Sequence, residues 1–390
     1  MKRIILPLLF AGAFGALNAH AAAPQYELLV GTYTQANSQG LYRYRFDAQS
    51  GLIEHKTLQV VKSDNPSWLT LSPDQTRLFV VNENGPGQKD VVGKVSSFAL
   101  DPKTHAISPI NQVQTQGDEP THSSLSHDGR FLFIANYGVS PNPGGSLAVI
   151  AVDPQGRLAS QVTQQMRYTP SKVNPERQAG GHVHSVVVAP AGDRVFATDL
   201  GADKVFAYRY DAAASAAPLT AADPAQVDLP AGSGPRHLLF SADAKRAYLS
   251  MEMSAQVAVF DYQDGTLVRR QLVDLTDRQA AEQKAAGALH LSPDGRFLYV
   301  SNRGKANELV VFAVNAGNGQ LTFVQRRSVE GDHPREFTFD PSGQFVLVAN
   351  QKSNQIVVIK RDPRTGVLGE TVQKFPMDSP SDVKFLQPNG

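Results

Sequence analysis

Six of the nine histidines beyond residue 23 stand where a repeated fold would turn them towards one point: His122, His182, His184, His237, His290 and His333. Arg236, Arg303 and Arg335, with the acids Glu83, Glu252, Glu336 and Asp382, occupy matching places in the same repeat. Imidazoles move protons near neutral pH, and guanidinium groups hold anions with a rigid fork of donors. A convergent set of such groups in a concavity marks a candidate site for a small polar ligand. A docking face for a protein would need an apolar or aromatic patch instead, so a non-enzymatic binding module is the rival class.

Within this set His184, Arg236, Glu252 and Arg303 are read as functional. A structural and a functional role are both open for His122, His237, His290 and His333. Arg335 with Glu336 and Asp382 is read equally well as an ion network between repeats, and Trp68 as packing rather than a ligand platform. His182-x-His184 puts two imidazoles on one side of a strand, a spacing some zinc sites use. No third ligand is fixed by spacing, however, and nearby arginines repel a cation, so neither metal nor cofactor is expected. Gly180-Gly181 does not open a helix after a strand, which argues against a phosphate cradle.

The elements that must position these residues come from a repeat. Seven copies of a short apolar strand run into a Ser-Pro-Asp-Gly-like turn, as in PSWLTLSPDQ from Pro66 and GALHLSPDG from Gly287. The proline-slot residues are Pro73, His127, Pro190, Ala242, Pro293, Pro341 and Gln387, spaced 46 to 63 residues apart. A second apolar run follows each turn (RFLFIANY, RFLYVSNR), then an alternating strand (KVSSFAL, QIVVIKR) and a weaker fourth. Short β-rich runs bounded by Gly, Pro and Asp read as hairpins. Four such strands repeated radially predict an all-β, seven-bladed β-propeller.

The C-terminal copy holds one strand, near Ser381 to Leu386, while the N-terminus begins with a second-strand pattern at Glu27 to Tyr33. One C-terminal strand therefore completes a sheet with three N-terminal ones, closing the ring and removing its last open edge. In every blade the start of the innermost strand and the end of the second are antiparallel neighbours, so both reach one mouth of the channel. The Asn residues that recur at the ends of second strands are expected to bond turn backbone. Ser140 to Gly145 and Met166 to Gly181 are read as irregular loops, Ala212 to Ala225 as a surface connection, and Asp274 to Ala286 as one helix over the mouth.

Composition bounds the rest. A net charge of +1 without a Lys/Arg run argues against nucleic acid as partner. Residues 1–23 combine a basic start, an apolar stretch and Ala-x-Ala options, which reads as a secretory signal peptide, leaving 24–390 as one propeller domain. No later segment is apolar enough for a membrane span. The absence of cysteine excludes disulfides and thiol catalysis. A periplasmic location is expected, with no membrane contact after signal cleavage; oligomeric state is not legible.

VGTYT from Val30, the segment around His184, GPRHLLFS from Gly234, Met251-Glu252 and LHLSPDGRFLYVSNRG from Leu289 carry a resemblance. Over residues 26–386 the chain resembles the seven-bladed lactonases, which include bacterial 6-phosphogluconolactonases and exported gluconolactonases, and is similar to fungal carboxymuconate cycloisomerases. The resemblance implies a small sugar lactone as substrate and maps the family's site onto His184, Arg236, Glu252 and Arg303. Met251, where Asn is expected, and Leu200 depart from the pattern. A phosphorylated sugar lactone is a cytoplasmic metabolite, so an exported chain is expected to hydrolyse D-glucono-1,5-lactone to D-gluconate. Arg236 and Arg303 are expected to hold the oxyanion. The base is His184 or Glu252, with His184 favoured because a carboxylate between two arginines is a weak base. Glu83, Tyr137, His182 and His237 are the expected sugar contacts. A muconate-type cycloisomerase, with arginines on substrate carboxylates, is the third reading.

Overall fold

Strands such as Phe345–Asn350, buried along their whole length and apolar up to the final Asn, can only lie inside a stack of sheets. In the computed structural model, which describes residues 25–388 except 89, 139–143 and 278–280, they do so. Six antiparallel sheets have four strands each, and a seventh is built from both ends of the chain. We number that composite sheet blade 1. Its innermost strand is Pro380–Leu386, paired with Gln25–Thr32, then Gly40–Asp47, then an outer strand in two pieces, Leu52–Ile53 and Gln59–Lys62. The innermost strands of blades 2 to 7 are Pro66–Leu71, Pro120–Leu125, Val183–Val188, Pro235–Phe240, Ala286–Leu291 and Pro334–Phe339. The seven-bladed propeller and its mode of closure are as the repeat predicted.

The core is divided among the blade interfaces. Leu249, Ala258 and Phe260 of blade 5 pack on Phe196 and Val205 of blade 4, and an equivalent cluster fills each of the other six junctions, including blade 7 against blade 1. The motif at each turn has a local cause. Ser72 Oγ donates to Asp74 Oδ1 at 2.6 Å and accepts from the backbone N–H of Arg77 at 3.0 Å. Ser292 repeats this with Asp294 and Phe297. The residue after the Asp takes a positive φ, 71° at Gly129 and 70° at Gly295, but also 51° at Gln75 and 57° at Ala244.

Two expectations are corrected. Asp274 to Ala286 does not form one helix: Asp274 ends a strand, and the described remainder holds only a 3-10 turn, Ala281–Gln283. Leu275 is fully buried between blades 5 and 6 and bonds the Ala255 carbonyl, which keeps the chain extended. The segment does lie at the mouth, since Ala285 O accepts from Arg303 N at 2.9 Å. The connection over Ala212 to Ala225 is in part strand, because Leu219–Asp228 is the outer strand of blade 4. An outermost strand has a free edge, where Pro224 costs no ladder hydrogen bond. The signal-peptide reading of 1–23 and most of Ser140 to Gly145 lie outside the described residues. No described helix is long and apolar enough to cross a membrane.

Candidate active site

Each inner strand slips once in its pairing with the second strand, near its start: between Pro66 and Trp68, Val183 and Ser185, Pro235 and Leu238, or Pro334 and Glu336. The other three blades slip at the same level. A bulge frees one residue from the ladder and re-aims its side chain. The freed residues, blades 1 to 7, are Ser381, Ser67, Thr121, His184, Arg236, Gly287 and Arg335, with His237 and Ala288 sharing the slip in theirs. Six of these seven line one narrow cavity, together with Trp68, His237 and Glu336. Gly287 stands apart for a reason: a Cβ there would collide with Ser301 Oγ and press on Arg303 Nε. Its absence gives Arg303 room to reach in.

The second set of side chains leaves the ends of the second strands, each fixed by one backbone bond to the segment entering the same blade's inner strand. Glu252 N donates to Gly234 O at 2.7 Å, Arg303 N to Ala285 O at 2.9 Å, Tyr137 N to Glu119 O at 2.9 Å and Glu83 N to Asn65 O at 3.0 Å. The Asn residues just before bond turn backbone as expected: Asn302 Nδ2 donates to Gln283 O and Asn350 Nδ2 to Val329 O. Met251, which replaces Asn, is buried between blades 4 and 5.

Glu252 is the hub. Its Oε2 lies 2.6 Å from Arg303 Nη2 and 3.2 Å from Arg236 Nε, and its Oε1 2.7 Å from Arg177 Nη2. Burial alone would raise this carboxyl, but Arg303 and Arg236 hold it well below the usual range. With both oxygens held by guanidinium groups, this carboxylate anchors cations and has no free oxygen to take a proton from water. Arg236 is 1% exposed; burial and the charge of Arg303 bring it down to about 9, so it stays charged at neutral pH. Beside it, burial and Arg236 push His184 well below 6.5, which leaves a neutral imidazole. His184 Nδ1 is buried without a hydrogen-bond partner among the described residues. Its ring meets His237 at 5.3 Å and Tyr137 at 5.5 Å, both edge-on.

The eight expected site residues therefore meet at one mouth. His182 stacks on Tyr137 at 4.7 Å, with Nδ1 3.0 Å from the Tyr137 carbonyl. Glu83 enters indirectly: it binds Arg335 Nη2 at 2.8 Å and accepts from Tyr33 OH at 2.8 Å. This overturns the Arg335–Glu336–Asp382 network. Arg335 is bulged towards the mouth, while Glu336 and Asp382 sit one tier deeper and take His290 at 2.6 Å and Lys384 at 3.0 Å. Trp68 does more than pack: it stacks on His122 at 4.1 Å, carries Lys384 over its face at 4.4 Å and borders the cavity. Arg177 was missed altogether, because it rides on an irregular strap with no place in the repeat. Gln178, fully buried, pins that strap by donating to Leu200 O at 2.9 Å. Among the described residues no three His, Asp or Glu are placed to hold a metal ion.

The family model described as "Lactonase, 7-bladed beta-propeller" matches residues 27–385. The chain belongs to this family. It is similar to the solved structure of a periplasmic gluconolactonase, PpgL, from Pseudomonas aeruginosa, with 54% identity, 94% of this chain and 100% of that one covered, and a TM-score of 0.90. It is 33% identical to a 6-phosphogluconolactonase of Formosa agariphila over 92% of this chain and 99% of the relative. With that of Bacillus subtilis it shares 31% over 92% and 97%. This lactonase is a lactone hydrolase by family.

Proposed function

We propose that this lactonase hydrolyses an unphosphorylated aldonolactone, D-glucono-1,5-lactone, to the open acid in the periplasm, after removal of a signal peptide over residues 1–23. The observation that carries the reading is a neutral, unpartnered His184 beside two guanidinium groups locked on one carboxylate. Arg236 and Arg303 polarise the carbonyl and hold the tetrahedral oxyanion; preorganised donors of this kind are worth about 10²- to 10³-fold each. His184 takes the proton of the attacking water, a contribution of about 10²- to 10⁴-fold. Glu252 keeps both arginines in place. Tyr137, His182 and His237 flank the sugar, and Glu83 acts by holding Arg335 at the cavity wall. The leader-like N-terminus and the periplasmic relative support the location and the plain sugar.

A 6-phosphogluconolactonase is the second reading. It is favoured by the names of two relatives and by four guanidinium groups at this mouth that share Glu83 and Glu252 as ion-pair partners. Proton release in a pH-stat, corrected for spontaneous opening, decides between them. The plain lactone is expected to be the faster substrate, and His184→Ala to lose at least about 10²-fold in kcat. Faster turnover of the 6-phospho lactone reverses the substrate choice, and an active His184→Ala removes the base.

A further inference from the structure

Opening a lactone ring breaks the bond from carbonyl carbon to ring oxygen, and the electron pair leaves on an alkoxide. An alkoxide departs slowly unless a positioned acid gives it a proton. Arg236 and Arg303 serve the carbonyl side and His184 serves the water, so the ring oxygen still needs a partner.

We propose that Tyr137 is that partner, the acid that protonates the ring oxygen as the C–O bond breaks. The assignment rests on the lactonase reading above and goes beyond the sugar contact expected of this residue. Tyr137 OH accepts a hydrogen bond from Arg177 Nη2 at 3.1 Å. Accepting leaves the hydroxyl's own proton uncommitted, and among the described residues it donates to none. The same Arg177 nitrogen grips Glu252 Oε1, while Arg303 and Arg236 hold the opposite oxygen. Tyr137 is therefore tied through Arg177 to one oxygen of the Glu252 carboxylate, while the oxyanion donors hold the other. Burial and Glu252 raise the phenol and Arg177 lowers it. The proton thus stays on at neutral pH, yet the tyrosinate formed on giving it away has a cation beside it.

The step balances. Water oxygen bonds to the carbonyl carbon and one water proton goes to His184. The carbon–ring-oxygen bond then breaks, its electron pair stays on the ring oxygen, and that oxygen takes the Tyr137 proton. The imidazolium restores the tyrosinate through water; the two rings are edge-on neighbours with centres 5.5 Å apart. The product is the open hydroxy acid.

The test uses two substrates, the 1,5-lactone and its ring-sulfur analogue, whose thiolate leaves without needing a proton. Tyr137→Phe is expected to lower kcat for the oxygen lactone about 10²-fold and to change the thiolactone by less than about threefold. Arg177→Gln, which keeps the phenol but removes its cation, should shift the same oxygen-to-sulfur ratio in the same direction by a smaller factor. Equal losses on both substrates, or none on either, overturn the assignment; none would mean that His184 returns its own proton to the ring oxygen. Wild-type protein inert towards both substrates sinks the lactonase reading and this role together. An unaltered ratio in an active wild type background sinks this role alone.

Discussion

Burial governs four of the histidines near this mouth. His184 and His237 are pushed well below 6.5, His122 to about 3 and His333 to about 2, burial being the largest cause in each and arginine or lysine charges adding to it. In the folded protein all four are neutral at pH 6, whereas the unfolded chain takes up protons from about 6.5 downwards. The unfolded state then binds more protons, so stability falls as pH falls through this window, by about 1.4 kcal/mol per pH unit for each histidine that differs. Asp199, raised by burial to about 6, and Asp382, also raised by burial, oppose this trend. Urea midpoints at pH 7.5 and pH 5 check this: the midpoint should be clearly lower at pH 5. An unchanged midpoint would mean that these imidazoles are protonated in the native state.

At the scale of the element, the inner strand and its turn show what a sequence discloses. Period-2 alternation and a fixed distance from the Ser-Pro-Asp-Gly turn placed His184, Arg236 and Glu252 at one mouth, because every blade repeats the same hairpin. The partners of Arg335 were misread because counting along the strand ignores the bulge, which lifts Arg335 a tier above Glu336. Arg177 had no chance of being found: its place depends on how a non-repeating strap is pinned by Gln178. The helix expected after Asp274 failed because burying Leu275 outweighed the propensity of an Ala- and Gln-rich run. The turn itself supplies a prediction. Ala244 sits at φ 57°, where Gly129, Gly192, Gly295 and Gly343 stand in other blades. A side chain there costs about 1 kcal/mol or more, partly offset by the entropy glycine gains on unfolding. Ala244→Gly should therefore stabilise by about 0.5 kcal/mol, read as a rise in Tm, and a fall would show that the turn is not strained.

For the whole molecule, closure depends on Pro380–Leu386 pairing with Gln25–Thr32. Without it Leu28 and Val30 lose their cover and a strand edge opens. Truncation after Met377 should abolish the cooperative melt. A circular permutant that begins at Pro380 and links the end of that strand to Gln25 should restore it, since Glu27 already faces Leu386. Failure of the permutant alongside a stable truncation would deny the last strand its role. The bulges carry a different consequence. At Ser67 the position that borders the cavity lies outside the ladder, so exchanging its side chain leaves the strand pairing untouched. Such a ring is a set of interchangeable sockets: new substrate preferences are reachable by single exchanges there, with the toroid left to hold its shape.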